Sequence, residues 1–99
     1  MGTKGGFKEQ SNIRIREPKQ YHVIMLNDDF TTMDFVVRVL MDIFGKDPQT
    51  AEELMLMVHR SGRAVVATYP YDIAVSKTNE AMARAKAEGY PFRMLVEEA

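Results

Sequence analysis

The segment from residue 33 to residue 44 limits the fold more than any other part of the sequence. Helical spacing places its apolar residues on two adjacent faces, and only Asp34, Arg38 and Asp42 mark a polar edge. A helix of this kind has to be covered on two sides, so we expect it to lie between a sheet and another helix. The two apolar faces consist of Met33, Val36, Val37, Leu40, Met41 and Phe44, and of Phe35, Val39 and Ile43.

Turn and capping residues divide the rest of the chain into short elements. Thr31 or Thr32 is suited to cap the apolar helix, Pro48 to begin the next one, and Gly45 and Gly62 to end them. The predicted elements are a strand at 21–26, a helix to about 44, a helix at 48–61, a strand at 63–69, a helix at about 71–88 and a strand at 92–96.

This order predicts an α+β fold in which a small three-stranded antiparallel sheet is packed by three helices on one face, as β-α-α-β-α-β. A chain of 99 residues is long enough for one compact domain, which we expect over residues 20–99. Residues 1–19 are rich in glycine and charge and contain few apolar residues, so we predict a flexible N-terminal arm.

Composition excludes several classes of protein. The net charge of -1 gives no overall field that would attract nucleic acid or an anionic membrane. The absence of cysteine rules out disulfides, thiol catalysis and cysteine-ligated zinc. No apolar run approaches the roughly 18–20 residues that cross a bilayer, and the first residues lack a secretory signal. We therefore expect a cytoplasmic protein.

Hydrogen-bond acceptors follow the first strand, in the sequence Asn27-Asp28-Asp29. In an extended loop alternate side chains point the same way, so Asn27 and Asp29 could share one side while Asp28 points elsewhere. Met55 and His59 are one helical turn apart and share a side of the second long helix. Taken singly, these residues have ordinary structural explanations as turn, core and helix-edge residues.

Together they predict a pocket at the end of the first strand. Its floor would be apolar, from Met33, Val36, Met55 and Val58, and its rim would carry acceptors from the loop and one imidazole nitrogen from His59. A protonated amine has three N–H donors and no acceptor. The first residue of a protein joins such an ammonium group to a side chain one carbon away, so it is the ligand that this pocket would suit.

The stretch from Tyr21 to Val37, YHVIMLNDDFTTMDFVV, closely resembles the signature of the ClpS adaptors. A second block from Ala51 through Met55-Leu56-Met57-Val58-His59 to Gly62 is similar to the family's second motif. Ile73-Ala74 with Lys77, and Pro91-Phe92, continue the likeness, which covers roughly residues 20–97.

The resemblance implies a non-enzymatic adaptor without a cofactor, which we expect to be a monomer. Its cargo would be N-degron proteins that begin with Leu, Phe, Tyr or Trp, delivered to a ClpA-type AAA+ unfoldase and its ClpP peptidase partner. The implied α-amino site is Asn27, Asp29 and His59 with Asp28 adjacent, the side-chain pocket is Thr31, Met33, Val36, Met55, Val58 and Phe92, and the unfoldase-docking positions are Asp72 and Lys77. The N-terminal arm would take part in the hand-over.

Two departures from the usual family pattern bear on the pocket: Thr32 stands where proline is usual and Phe92 where leucine is common. Two alternatives stay open. One is a paralogous module that docks on the unfoldase without reading N-termini. The other is a metal-dependent hydrolase using Asp28, Asp29 and His59, although two carboxylates and one histidine are a small ligand set.

Overall fold

The computed structural model describes residues 18–99, and most of the predicted arm, residues 1–17, lies outside the described residues. Within the described residues the chain forms three strands and three helices in the predicted order. They are β1 (Gln20–Leu26), α1 (Met33–Asp42), α2 (Pro48–Ser61), β2 (Arg63–Pro70), α3 (Tyr71–Ala87) and β3 (Met94–Glu98).

The three strands form one antiparallel sheet with β1 in the centre, between β2 and β3. Ile24 pairs with Val65 on one side and with Leu95 on the other. The predicted α+β fold and the predicted element order are therefore confirmed. Because β1 is central, the loop that follows it emerges in the middle of one end of the sheet, with a strand on either side and the helices nearby.

The core lies between the sheet and the helices. Val23, Met25 and Met94 on the sheet and Phe35 and Leu40 on α1 belong to one buried cluster. Small buried residues let α3 lie close to all three strands; they are Ala74, Thr78, Ala81 and Ala85. One continuous core thus holds the strand ends and the first turn of α1 in fixed positions.

The structure corrects three details of the sequence prediction. The buried side of α1 is centred on Phe35 and Val39, so Met33 and Met41 are 52% and 36% exposed and do not belong to the core. The helix ends at Asp42, two residues early, and Ile43 is its cap. Beyond it the Lys46 N–H bonds back to the Leu40 carbonyl at 3.0 Å.

The third correction concerns β3, which begins at Met94 and not at residue 92. Pairing with β1 runs from Met94, opposite Met25, to Glu98, opposite Tyr21. Phe92 is instead buried against Phe35, with ring centroids 5.7 Å apart. The position of the partner strand and the burial of one aromatic ring set this strand boundary, whereas the proline at 91 does not.

None of the helices in the described part of the chain has the length and apolar character needed to cross a membrane.

The burial of Phe35 yields a stability prediction. Its side chain is fully buried between the rings of Tyr90 and Phe92, with centroid distances of 5.0 and 5.7 Å. Phe35→Ala should lower the free energy of unfolding by about 3–5 kcal/mol, because it removes apolar contacts and leaves a cavity. Phe30→Ala is the matched control, since Phe30 is 76% exposed, and should change stability by less than about 0.5 kcal/mol. Equal losses in urea denaturation would contradict this view of the core.

Candidate functional site

The loop between β1 and α1 is held at both ends by backbone hydrogen bonds. At its start, the Asn27 N–H donates to the carbonyl of Gly62 at 3.0 Å. Gly62 is the left-handed cap of α2, with φ at +87°. The bond therefore places the loop directly beside the end of α2, where His59 lies one turn before the cap.

The Asp28 carboxylate organises the middle of the loop. One oxygen accepts hydrogen bonds from the Phe30 and Thr31 N–H groups, both at 2.8 Å, and the other accepts from the Thr31 hydroxyl at 2.7 Å. Partial burial raises the pKa of the Asp28 carboxyl, but these bonds outweigh it and leave its pKa below the ordinary value. Asp28 is therefore ionised and fully engaged within its own loop.

Thr32 ends the loop as the N-cap of α1. Its hydroxyl oxygen accepts a hydrogen bond from the Phe35 N–H at 3.2 Å, and its O–H donates to the Tyr90 hydroxyl oxygen, also at 3.2 Å. The predicted cap at Thr31 or Thr32 is thus at Thr32. A threonine here gives α1 a side-chain cap and a tether to the segment before β3, neither of which proline could supply.

Local sequence fixes α2 at both ends as predicted. The Asp47 carboxylate accepts from the Thr50 N–H at 2.8 Å, Pro48 occupies the first turn, and Gly62 ends the helix. Hydrogen bonds from the Thr50 amide and hydroxyl hold the pKa of Asp47 below its ordinary value. The helix buries Met55 and Val58, while His59 lies on the exposed margin next to them.

An open cavity of about 180 Å³ lies where the loop, α1, α2 and the segment before β3 meet. All ten residues predicted for the two parts of the site line it. They are Asn27, Asp28, Asp29, Thr31, Met33, Val36, Met55, Val58, His59 and Phe92. The structure thus brings together side chains that are 65 positions apart in the sequence, from Asn27 to Phe92.

The lining is polar at the rim of the cavity, which we call the lip and which consists of Asn27, Asp29 and His59, and it is apolar below this rim. Val36, Met55, Val58 and Phe92 are buried, whereas Met33 is half exposed, at the mouth of the cavity and not on the predicted floor. Asn27, Asp29 and His59 are exposed, and among residues 18–99 their side chains form no hydrogen bond. The lip therefore offers three acceptors that are open to a ligand.

Sequence reasoning missed two lining residues, Met25 and Leu26. Met25 is fully buried on the helix-covered face of β1, and Leu26 is the last residue of that strand. Their position immediately before the acceptor cluster was the available signal. The last residues of a buried strand also line any cavity that lies at the same end of the sheet.

The two predicted docking residues lie on α3 and do not line the cavity. Asp72 is exposed in the first turn, between Tyr71 and Ile73, which are 54% and 45% exposed. Lys77 is half buried, and its ammonium donates to the Ile43 carbonyl at 2.9 Å, 5.6 Å from the centre of the Tyr69 ring. Lys77 thus connects α3 to the C-terminal end of α1. It brings a positive charge to this helix end, since the last turn of α1 contains no basic residue.

The alternative of a metal site finds no support in the donor set. In the part of the chain that is described, no three His, Asp or Glu side chains are placed to share a metal ion, and this includes Asp28, Asp29 and His59.

Comparison with known proteins shows the family of this chain. Residues 16–95 match the family model of the "ATP-dependent Clp protease adaptor protein ClpS". The ATP-dependent Clp protease adapter protein ClpS of Wolinella succinogenes is 46% identical over 89 residues, covering 90% of this chain and 87% of that protein. The corresponding protein of Neisseria meningitidis is 46% identical over 88 residues, covering 89% and 85%.

A solved structure has the same fold. Agrobacterium tumefaciens ClpS2, bound to L-phenylalaninamide, superposes with a TM-score of 0.81 at 38% sequence identity, covering 84% of this chain and all of that one. These relatives are adaptors by name, which agrees with the expectation of a non-enzymatic role.

The Thr32 cap can be tested by a pair of substitutions. Thr32→Ala removes the oxygen that accepts from Phe35 N–H and should lower the free energy of unfolding by about 1 kcal/mol, whereas Thr32→Ser keeps this oxygen and most of the stability. Urea denaturation midpoints measure both. A serine variant as unstable as the alanine variant would show that the threonine methyl group, and not the cap, supports α1.

Proposed function

Because the chain belongs to the ClpS family of adaptors of the ATP-dependent Clp protease, we propose that it binds N-degrons and delivers them to the protease. The cargo is a protein whose first residue is Leu, Phe, Tyr or Trp. Its free α-amino group binds at the lip of the cavity and its first side chain enters the apolar interior. One observation carries the proposal: three acceptors without a side-chain hydrogen bond among residues 18–99 stand over a buried apolar pocket.

The number and the chemical kind of the acceptors at the lip suit an ammonium group. An ammonium has three donors and no acceptor, and Asn27, Asp29 and His59 offer an amide oxygen, a carboxylate and an imidazole nitrogen. Bonds of this charge-assisted kind contribute about 1.5–3 kcal/mol each. Because His59 accepts a bond in this role, it is neutral when cargo is bound.

The interior suits one large apolar side chain. The cavity volume of about 180 Å³ is close to the roughly 150 Å³ of an engineered apolar cavity that holds benzene. Burying such a side chain contributes about 1.5–3 kcal/mol. The related ClpS2 was solved with L-phenylalaninamide, which has the free amine and the aromatic side chain that the proposal requires.

We expect weak binding, of micromolar affinity or weaker. Three charge-assisted bonds and one buried side chain act against an association cost of at least about 4 kcal/mol, and micromolar affinity corresponds to about -8 kcal/mol. Exchange on this scale suits an adaptor that has to release its cargo to the unfoldase.

A pair of peptides tests cargo binding. A fluorescent peptide beginning with Phe should bind measurably by anisotropy, and acetylating its α-amino group should weaken binding at least about 100-fold, because this removes the charge and two donors. Peptides that begin with Gly or Asp should also fail to bind. Equal affinity for the free and acetylated peptides would refute recognition of the amine.

The two histidines of the chain supply a matched control for this experiment. His59 lines the cavity, whereas His22 lies on β1, where its Nδ1 is 2.8 Å from the Thr68 hydroxyl. His59→Ala should weaken binding of the free-amine peptide and His22→Ala should leave it unchanged. The reverse pattern would place the binding site elsewhere.

Docking on the unfoldase is proposed for the exposed start of α3. Asp72 and the neighbouring Tyr71 and Ile73 are all exposed in the first turn of α3, so this turn offers both a charged and an apolar side chain. The Lys77 ammonium is bonded to the Ile43 carbonyl, so its substitution would disturb the packing of α3 as well as any docking contact. Asp72 is therefore the better residue for a test.

Asp72→Lys should weaken binding to the N-terminal domain of a ClpA-type unfoldase about tenfold or more and leave peptide affinity unchanged, because Asp72 does not line the cavity. Glu80→Lys is the matched control, with the same change of charge about 12 Å further along α3. Surface plasmon resonance with the isolated unfoldase domain measures both. Equal losses would mean that net charge, and not the start of α3, governs docking.

A further inference from the structure

The three neighbouring acceptors of the loop are used differently. The side chains of Asn27 and Asp29 form no hydrogen bond among the described residues, whereas Asp28 accepts three, from Phe30 N–H, Thr31 N–H and the Thr31 hydroxyl. Both Asp28 oxygens are engaged at 2.7–2.8 Å. Three adjacent residues with similar chemistry therefore have different tasks.

The chemistry of the proposed ligand explains why the lip needs such a residue. An ammonium group only donates, so a lip that receives it has to turn acceptors towards it. Just after the acceptors of the lip, the Phe30 amide, the Thr31 amide and the Thr31 hydroxyl are three donors that bond to Asp28. Asp28 takes up all three.

We propose that Asp28 is a positioning residue that folds the lip and occupies the three donors of Phe30 and Thr31, leaving contact with the ammonium to Asn27, Asp29 and His59. The inference rests on the proposed function and refines it. The loop is already fixed at Asn27 by the bond to Gly62 and at Thr32 by the cap on Phe35. Asp28 therefore shapes the short segment between two anchored points, where its three bonds determine the path of the backbone.

Asparagine and alanine at position 28 separate positioning from direct charge contact. The amide oxygen of Asp28→Asn can still accept from both N–H groups, so this variant should lose no more than about threefold in affinity for a peptide beginning with Phe. Asp28→Ala removes every acceptor and should lose about tenfold or more. If the Asp28 charge touched the ammonium, asparagine would lose as much as alanine, and this result would overturn the proposal.

Asp29→Asn is the matched control, with the same chemical change one residue further on. Asp29 is exposed and lines the cavity without an internal partner among the described residues. Its carboxylate should therefore be needed as a charge, and Asp29→Asn should weaken binding about tenfold or more. An Asp29→Asn loss no greater than that of Asp28→Asn would also count against the division of tasks.

A second measurement does not depend on cargo. In the free protein, NMR exchange rates of the Phe30 and Thr31 amides should rise about tenfold or more in Asp28→Ala, stay within about threefold in Asp28→Asn, and be unchanged in Asp29→Asn. Unchanged rates in Asp28→Ala would overturn the proposal. If the rates behave as expected but no free-amine peptide binds the wild-type protein, the proposed function fails while the assignment of Asp28 to the loop stands.

Discussion

The burial of Phe35 is the constraint on which the rest of the structure depends. Its ring is removed from water between Tyr90 and Phe92, and this fixes both the start of α1 and the segment that leads into β3. Val36, the next residue, then lines the cavity together with Phe92. A single buried aromatic residue thus positions two walls of the pocket. It also fixes the start of α1 close to the end of β1, so the loop between them has to be short.

The lip of the pocket depends on polar contacts that are equally local. The loop is anchored by backbone contact with Gly62 at one end and by the Thr32 cap at the other, and Asp28 satisfies three donors of Phe30 and Thr31 between them. Because these internal needs are met, the side chains of Asn27 and Asp29 remain open to solvent. Rigid support beneath free acceptors is the arrangement that allows a charged group to bind without reorganising the site.

Much of this could be predicted from the sequence because the elements carry their own boundaries. Pro48 and Gly62 mark α2 at both ends. The helical spacing of Met55, Val58 and His59 predicted which side of α2 faces the pocket. The β3 boundary could not be predicted, because it is set by pairing with β1 and by the burial of Phe92, both of which are long-range. Periodicity also placed Met33 in the apolar interior, since spacing alone does not show which side of an apolar helix faces the core.

The central claim is that one corner of the molecule receives an ammonium group and its attached side chain together. The most direct measurement is a titration of the isotope-labelled protein with L-phenylalaninamide, followed by two-dimensional NMR. If this claim is right, the shifts should be saturable and concentrated at residues 27–33 and 55–59. Saturable shifts centred on another surface, or no saturable shift at all, would contradict it.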